Sequence, residues 1–137
     1  MTVVGFNFTK INVERNKPSK GKISIGNNVA IQNIEESSFS IGQEEQESLK
    51  IVFQFNSTYE PEVGKIELTG DLIYIDSKTR VKEIFSEWKE KKKVDKDVMT
   101  EALNVILNRC NIQALVLARD INLPSPIPLP KVKVETK

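Results

Sequence analysis

Val98-Met99-Thr100-Glu101-Ala102-Leu103-Asn104-Val105-Ile106-Leu107-Asn108-Arg109-Cys110-Asn111-Ile112-Gln113-Ala114-Leu115-Val116-Leu117-Ala118-Arg119-Asp120-Ile121 runs through Asn122 into Leu123-Pro124-Ser125-Pro126-Ile127-Pro128-Leu129-Pro130. At helical spacing, Met99, Leu103, Ile106, Cys110 and Leu117 make one apolar row. Val98, Ala102, Val105, Ile112 and Val116 make a second, displaced around the axis. A helix on a protein surface carries a single apolar stripe, so two rows call for two covers. The chain's own sheet is the first cover, and another copy of the chain is the expected second. Val98, Ala102, Val105, Ile112 and Val116 are therefore the expected oligomer interface.

The proline run that follows is neither helix nor central strand, because each ring removes a backbone donor and fixes φ. Its prolines stand at every second position, so no two are three apart and the motif read by SH3-type domains is absent. In an extended segment Ser125, Ile127 and Leu129 share one side. Two uses fit this pattern: Leu123, Ile127 and Leu129 form a contact surface, or the segment is a stiff arm packed on its own domain.

Upstream, the period changes from helical to two. Val4, Phe6 and Phe8 alternate and then shift phase to Ile11 and Val13, which predicts a strand with a bulge. Residues 16–21 read as a crossover loop. Ile23, Ile25, Val29 and Ile31 share one parity around Gly26-Asn27-Asn28, where a bulge or tight turn is expected. A polar connection carrying Glu44, Glu45 and Glu47 follows. Leu49, Ile51, Phe53 and Phe55 make the third strand, and Ile66, Leu68, Leu72 and Tyr74 the fourth. After Asp76-Ser77, either of which can cap a helix, Val81, Ile84, Phe85 and Trp88 form one narrow stripe. Asp95 or Asp97 then opens the long helix. Strands first and helices last indicate an α+β fold: a four-stranded antiparallel sheet with C-terminal helices packed on one face. Residues 1–137 are expected to form one domain, with sheet over 1–76, helices over 77–121 and a proline-rich tail over 122–137.

Composition narrows the function. The chain has no histidine and one cysteine, Cys110, so histidine-based nucleophile schemes and the usual zinc sites are excluded within it. The six glycines are scattered, so no phosphate-binding loop can be assembled, and no cofactor is expected. Twenty basic and nineteen acidic side chains leave a formal charge of +1, a balance that recruits neither nucleic acid nor membrane. Lys89, Lys91, Lys92 and Lys93, interleaved with Glu90, read as a solvated helix end that complements the helix dipole. Glu44, Glu45 and Glu47, and likewise Glu60 and Glu62, match no calcium loop and read as solvated loop. The start, Met1-Thr2-Val3-Val4-Gly5-Phe6, lacks a charged leader with a long apolar core, and the lone cysteine fits a reducing compartment. A cytoplasmic protein is expected, and one that is not an enzyme.

Three stretches carry a resemblance to a known family. They are Phe6-Asn7-Phe8-Thr9-Lys10-Ile11-Asn12-Val13, Ile66-Glu67-Leu68-Thr69-Gly70-Asp71-Leu72-Ile73-Tyr74-Ile75, and Asn104 to Ile112 continuing through the aliphatic-proline segment. Pattern by pattern, most of the chain resembles the SecB export chaperones and the SecB-like proteins of archaea. The resemblance implies an ATP-independent holdase, a homo-oligomer that binds unfolded or extended polypeptide in an apolar groove. By the same resemblance the groove falls near Ile23, Ile25, Leu123, Ile127 and Leu129. Two departures are visible. A charged helix around Val81 to Trp88 precedes the long one, and Lys131-Val132-Lys133-Val134-Glu135-Thr136-Lys137 replaces the family's acidic helix and basic tail. Delivery to an export motor is therefore not implied. An adaptor subunit binding one specific protein partner fits the same apolar tail.

Overall fold

Where every second residue is apolar, a strand hides one face and wets the other, and register decides whether neighbouring strands agree on which. Here they agree: Leu49, Ile51, Phe53 and Phe55 of one strand lie opposite Tyr74, Leu72, Gly70 and Leu68 of the next. The computed structural model describes residues 2–16, 21–42 and 44–130. It comprises β1 (Thr2–Arg15), β2 (Ser24–Ile41), β3 (Glu44–Glu60), β4 (Gly64–Ile75), α1 (Lys78–Lys91) and α2 (Lys96–Asp120). The strands form one antiparallel sheet in the order β1-β4-β3-β2. Both helices pack on its apolar face, and their buried residues join one core with those of the sheet. The expected α+β architecture is present. Residues 17–20 of the expected crossover loop, and 131–137 of the expected tail, lie outside the described residues.

The phase change in β1 is a pair of register shifts, one between Val3 and Gly5 and one between Phe8 and Lys10. The second leaves Phe8 and Ile11 opposite Gly70 and Leu68, with Phe8 packed on the core and Ile11 47% exposed on the edge strand. The first makes Val4 the extra residue and turns it outward, 47% exposed, although alternation had grouped it with Phe6 and Phe8. Phe6, Phe8 and Phe53 cluster above Gly70, with the Phe6 and Phe53 rings stacked at 5.1 Å. Gly70 is required there, because a Cβ would sit 2.1 Å from the Asn7 carbonyl oxygen and 2.9 Å from the Phe53 ring.

Two expectations for β2 are corrected. Gly26-Asn27-Asn28 is not a turn but regular strand, paired with Thr58, Ser57 and Asn56. The bulge lies instead between Ile31 and Asn33, where it keeps Ile31 and Ile34 on one face, opposite Phe53 and Ile51. Glu44, Glu45 and Glu47 are not a connection either, since they pair with Ile41, Ser40 and Ser38 within a long hairpin. The strands run on to Ile41 and from Glu44, and Gly42 follows β2 at φ 65°, a conformation glycine adopts without steric cost.

Ser77 caps α1 by accepting the Arg80 backbone N–H at 3.3 Å, and the helix buries Val81, Ile84 and Trp88 against β2 and β3. Lys89 and Lys92 reach over the Phe85 and Trp88 rings at 5.5 and 5.2 Å, so part of the lysine run is engaged with its own helix. Asp95 occupies the N-cap position of α2, but its carboxylate pairs with Arg80, tying the starts of the two helices together. α2 lies over β4, β1 and β3.

Candidate polypeptide-binding site

The site begins at the end of α2. Asn122 takes a left-handed conformation, φ 58°, so that the Leu123 N–H reaches the Ala118 carbonyl at 2.8 Å and the Asn122 N–H the Arg119 carbonyl at 3.3 Å. This is the Schellman pattern, in which the residue after the left-handed one folds back on the helix. Leu123 is thereby only 7% exposed and packs beside Gly64, at the start of β4. The chain then crosses the end of the sheet toward β2. Tyr59 of β3 donates its hydroxyl to the Pro124 carbonyl at 2.6 Å, and the Asn27 side-chain amide of β2 donates to the Pro126 carbonyl at 2.8 Å. Ser57 orients that amide by donating to Asn27 Oδ1 at 2.7 Å. Within the segment, Ser125 Oγ donates to the Ile127 carbonyl and accepts the Ile127 N–H.

Of the residues expected to line a groove, Leu123 is buried, Ile23, Ile25 and Ile127 are half-buried, and Leu129 is 51% exposed. Ile25 lies opposite Tyr59, on the same face and at the same end of the sheet as the proline segment. Leu123 and Leu129 share a cleft of about 370 Å³ with Leu115, Val116 and Arg119 of α2. Tyr59, Ser57 and Asn27 were not anticipated as site residues. A signal for two of them existed, since Ser57 and Tyr59 continue the odd parity of Leu49 to Phe55. Burial raises the Tyr59 pKa above its ordinary value, and the Ser57 hydroxyl partly opposes the rise. The phenol is thus a neutral donor at physiological pH.

A second surface lies farther along α2 and meets the first at Val116. Its sheet-facing row is Val98, Ala102, Ile106, Cys110, Ala114 and Ala118, one residue in four. Val98 and Ala102, expected at an interface between copies, are therefore fully buried under the chain's own helix. Each four-residue step turns about 40° past a full circle, so a stripe that follows a twisted sheet draws on both expected rows. Val105 is half-buried, while Ile112 and Val116 are 56% and 38% exposed. Beside them, Val3, Val4, Phe6, Val105 and Arg109 line a cleft of about 640 Å³, with the Arg109 guanidinium 5.5 Å from the Phe6 ring.

Reactive groups are scarce among the described residues. Burial pushes the Cys110 thiol up to about 12, which keeps it out of the thiolate form that reacts. Among the described residues no three metal-ligating side chains converge, and no helix is long and apolar enough to cross a membrane.

No family model matches the chain, and no curated protein matches it. Among solved structures, the fold is similar to that of a SecB-like chaperone of Mycobacterium tuberculosis, determined in complex with a ChAD peptide from the HigA1 antitoxin. The likeness covers 96% of this chain and 89% of that one, with a TM-score of 0.56 and 7% identity. At that identity it is a likeness of fold, and the fold is SecB-like.

Proposed function

We propose that this protein is an ATP-independent, chaperone-like polypeptide binder. In this reading Ile23, Ile25, Leu123, Ile127 and Leu129 line its apolar groove, and it works as a cytoplasmic homo-oligomer with a single domain over residues 1–137. The observation that carries the proposal is a SecB-like fold whose sheet end holds the apolar proline segment by two of its carbonyls. Side chains there offer apolar area and neutral donors, which suit a polypeptide of unspecified sequence. Covering about 400 Å² of apolar surface gains about 10 kcal/mol gross at 25 cal/mol/Å². Ordering a floppy client offsets much of that, leaving roughly micromolar, reversible holding. The test is light scattering from an aggregating client protein. Suppression at equal stoichiometry without nucleotide is expected, and unchanged aggregation refutes general holding.

A second reading, an adaptor for one dedicated protein partner, draws on the solved neighbour, whose bound peptide comes from one defined protein. It predicts a stoichiometric complex on affinity capture and indifference to generic unfolded chains.

A further inference from the structure

Among the described residues the sheet has two free edges, β1 and β2, and they are guarded differently. β1 carries Lys10, Glu14 and Arg15, the kind of charges that keep a strand edge from pairing with another chain. β2 carries no charge between Lys22 and Glu35. In an antiparallel edge strand every second residue turns its N–H and C=O away from the neighbour, so β2 presents a row of backbone groups on the side away from β3. Two contacts bound the uncharged row. At one end the Asn27 side-chain amide holds the Pro126 carbonyl. At the other, Asn33 lies opposite Val52, off the core face, yet its side-chain oxygen accepts the Trp88 indole N–H at 3.3 Å, so α1 reaches round the edge there. The stretch left open is residues 28–32, about 17 Å long. Within it Val29 and Ile31 lie opposite Phe55 and Phe53, which are fully buried, while they themselves are only half-buried.

We propose that residues 28–32 of β2 take an extended segment of another protein as a fifth strand. The inference rests on the polypeptide-binding reading and adds the contact that holds a client's backbone. Strand addition pairs N–H and C=O groups of both chains whatever the client's sequence, which suits a binder of many unfolded chains. Side chains then set the preference. Alternate residues of the added strand lie against Val29 and Ile31 and are favoured when apolar. Those between them lie beside Asn28, Ala30 and Gln32, all exposed, where uncharged side chains fit. The window favours an unfolded segment over a second copy. A folded copy pairing through its own β2 brings its own α1 and proline segment up to a window already bounded by both, whereas a single extended strand adds no bulk beyond its width.

The test uses the full chain and a capped peptide of alternating threonine and valine with a lysine at each end. When it binds, the amides of residues 28–32 are expected to gain hydrogen-exchange protection at every second position, the signature of a new strand on an edge. The same peptide N-methylated at every amide keeps its side chains but offers no backbone donor, and is expected to bind about ten-fold more weakly. Val29→Lys puts an inward-pointing charge on the edge and should weaken the unmodified peptide by a similar factor, with circular dichroism checking that the variant folds. Protection that is absent or uniform along residues 28–32, or equal binding by the N-methylated peptide or by the folded variant, overturns the proposal. So does protection that arises without peptide and grows with protein concentration, which gives the edge to a second copy. Light scattering from an aggregating client, run in parallel, separates this inference from the reading it rests on. Suppressed aggregation without the alternating protection refutes strand addition alone. Alternating protection without suppressed aggregation upholds the edge site and refutes the chaperone.

Discussion

Gly70 shows how much of this fold hangs on a missing atom. It lies opposite both Phe8 of β1 and Phe53 of β3, and the Asn7 carbonyl fills the space a side chain would need. Gly70→Ala must push β1 away from β4 and is expected to cost about 2–4 kcal/mol, read from the midpoint of urea unfolding. Gly26→Ala is the control, because nothing lies within 4 Å of its added Cβ; a shift within about 0.5 kcal/mol is expected. The two tyrosines make a different prediction. Burial raises the pKa of Tyr59, and burial together with the carboxylates of Asp76 and Glu101 raises that of Tyr74. An acid whose folded pKa is raised binds its proton more tightly in the native state. The stability this confers is complete below the ordinary value of 10.0 and is lost as pH climbs through the folded values. At pH 10 the native protein should therefore show much less tyrosinate absorbance than the same chain in denaturant. Equal absorbance would mean that neither hydroxyl is enclosed as described.

Element by element, legibility tracked how much of each segment faces the core. The inner stretches of β3 and β4 could be read directly, because alternation persists wherever one face is buried. The joined ends of β2 and β3 could not. Polar residues are tolerated where strands extend past the core, and Glu44 to Glu47 lost the period while keeping the strand. In α2 the helix itself was plain, but the assignment of its rows was not. Sheet-facing positions follow the twist of a surface that no local period encodes, and they favour small residues that let the helix lie close. Ala114→Leu should consequently cost about 1–3 kcal/mol by overpacking, whereas Ile112→Asp, on the exposed side, should leave the melting temperature nearly unchanged. Thermal unfolding at low protein concentration distinguishes them, and equal losses would place both residues in the core. The seat of the proline segment was the least legible part. Its two hydrogen bonds join residues 65 and 99 positions apart, a pairing visible only once α2 has delivered its far end to Tyr59 and Asn27.

At the scale of the whole molecule, the unfinished surface is the outer side of α2. Ile112 and Val116 project from the helix there, and Val4 stands out beside the cleft that α2 forms with β1. A helix of 25 residues is about 37 Å long, enough for two copies to bury about 800 Å² each, the area typical of a stable pairing. In a two-fold contact every substitution occurs twice, so Ile112→Asp introduces two carboxylates into one apolar interface, each losing water on pairing. If copies pair through α2, sedimentation should give a multiple of 15.5 kDa for the unaltered chain at micromolar concentration and 15.5 kDa for the Ile112→Asp variant. Because Ile112 is more than half exposed in one copy, the loss of mass should come without loss of helical signal. An unaltered chain that stays at 15.5 kDa at every concentration refutes pairing through α2. A variant that keeps the larger mass moves the contact elsewhere, and the free edge of β1 is the next surface to alter.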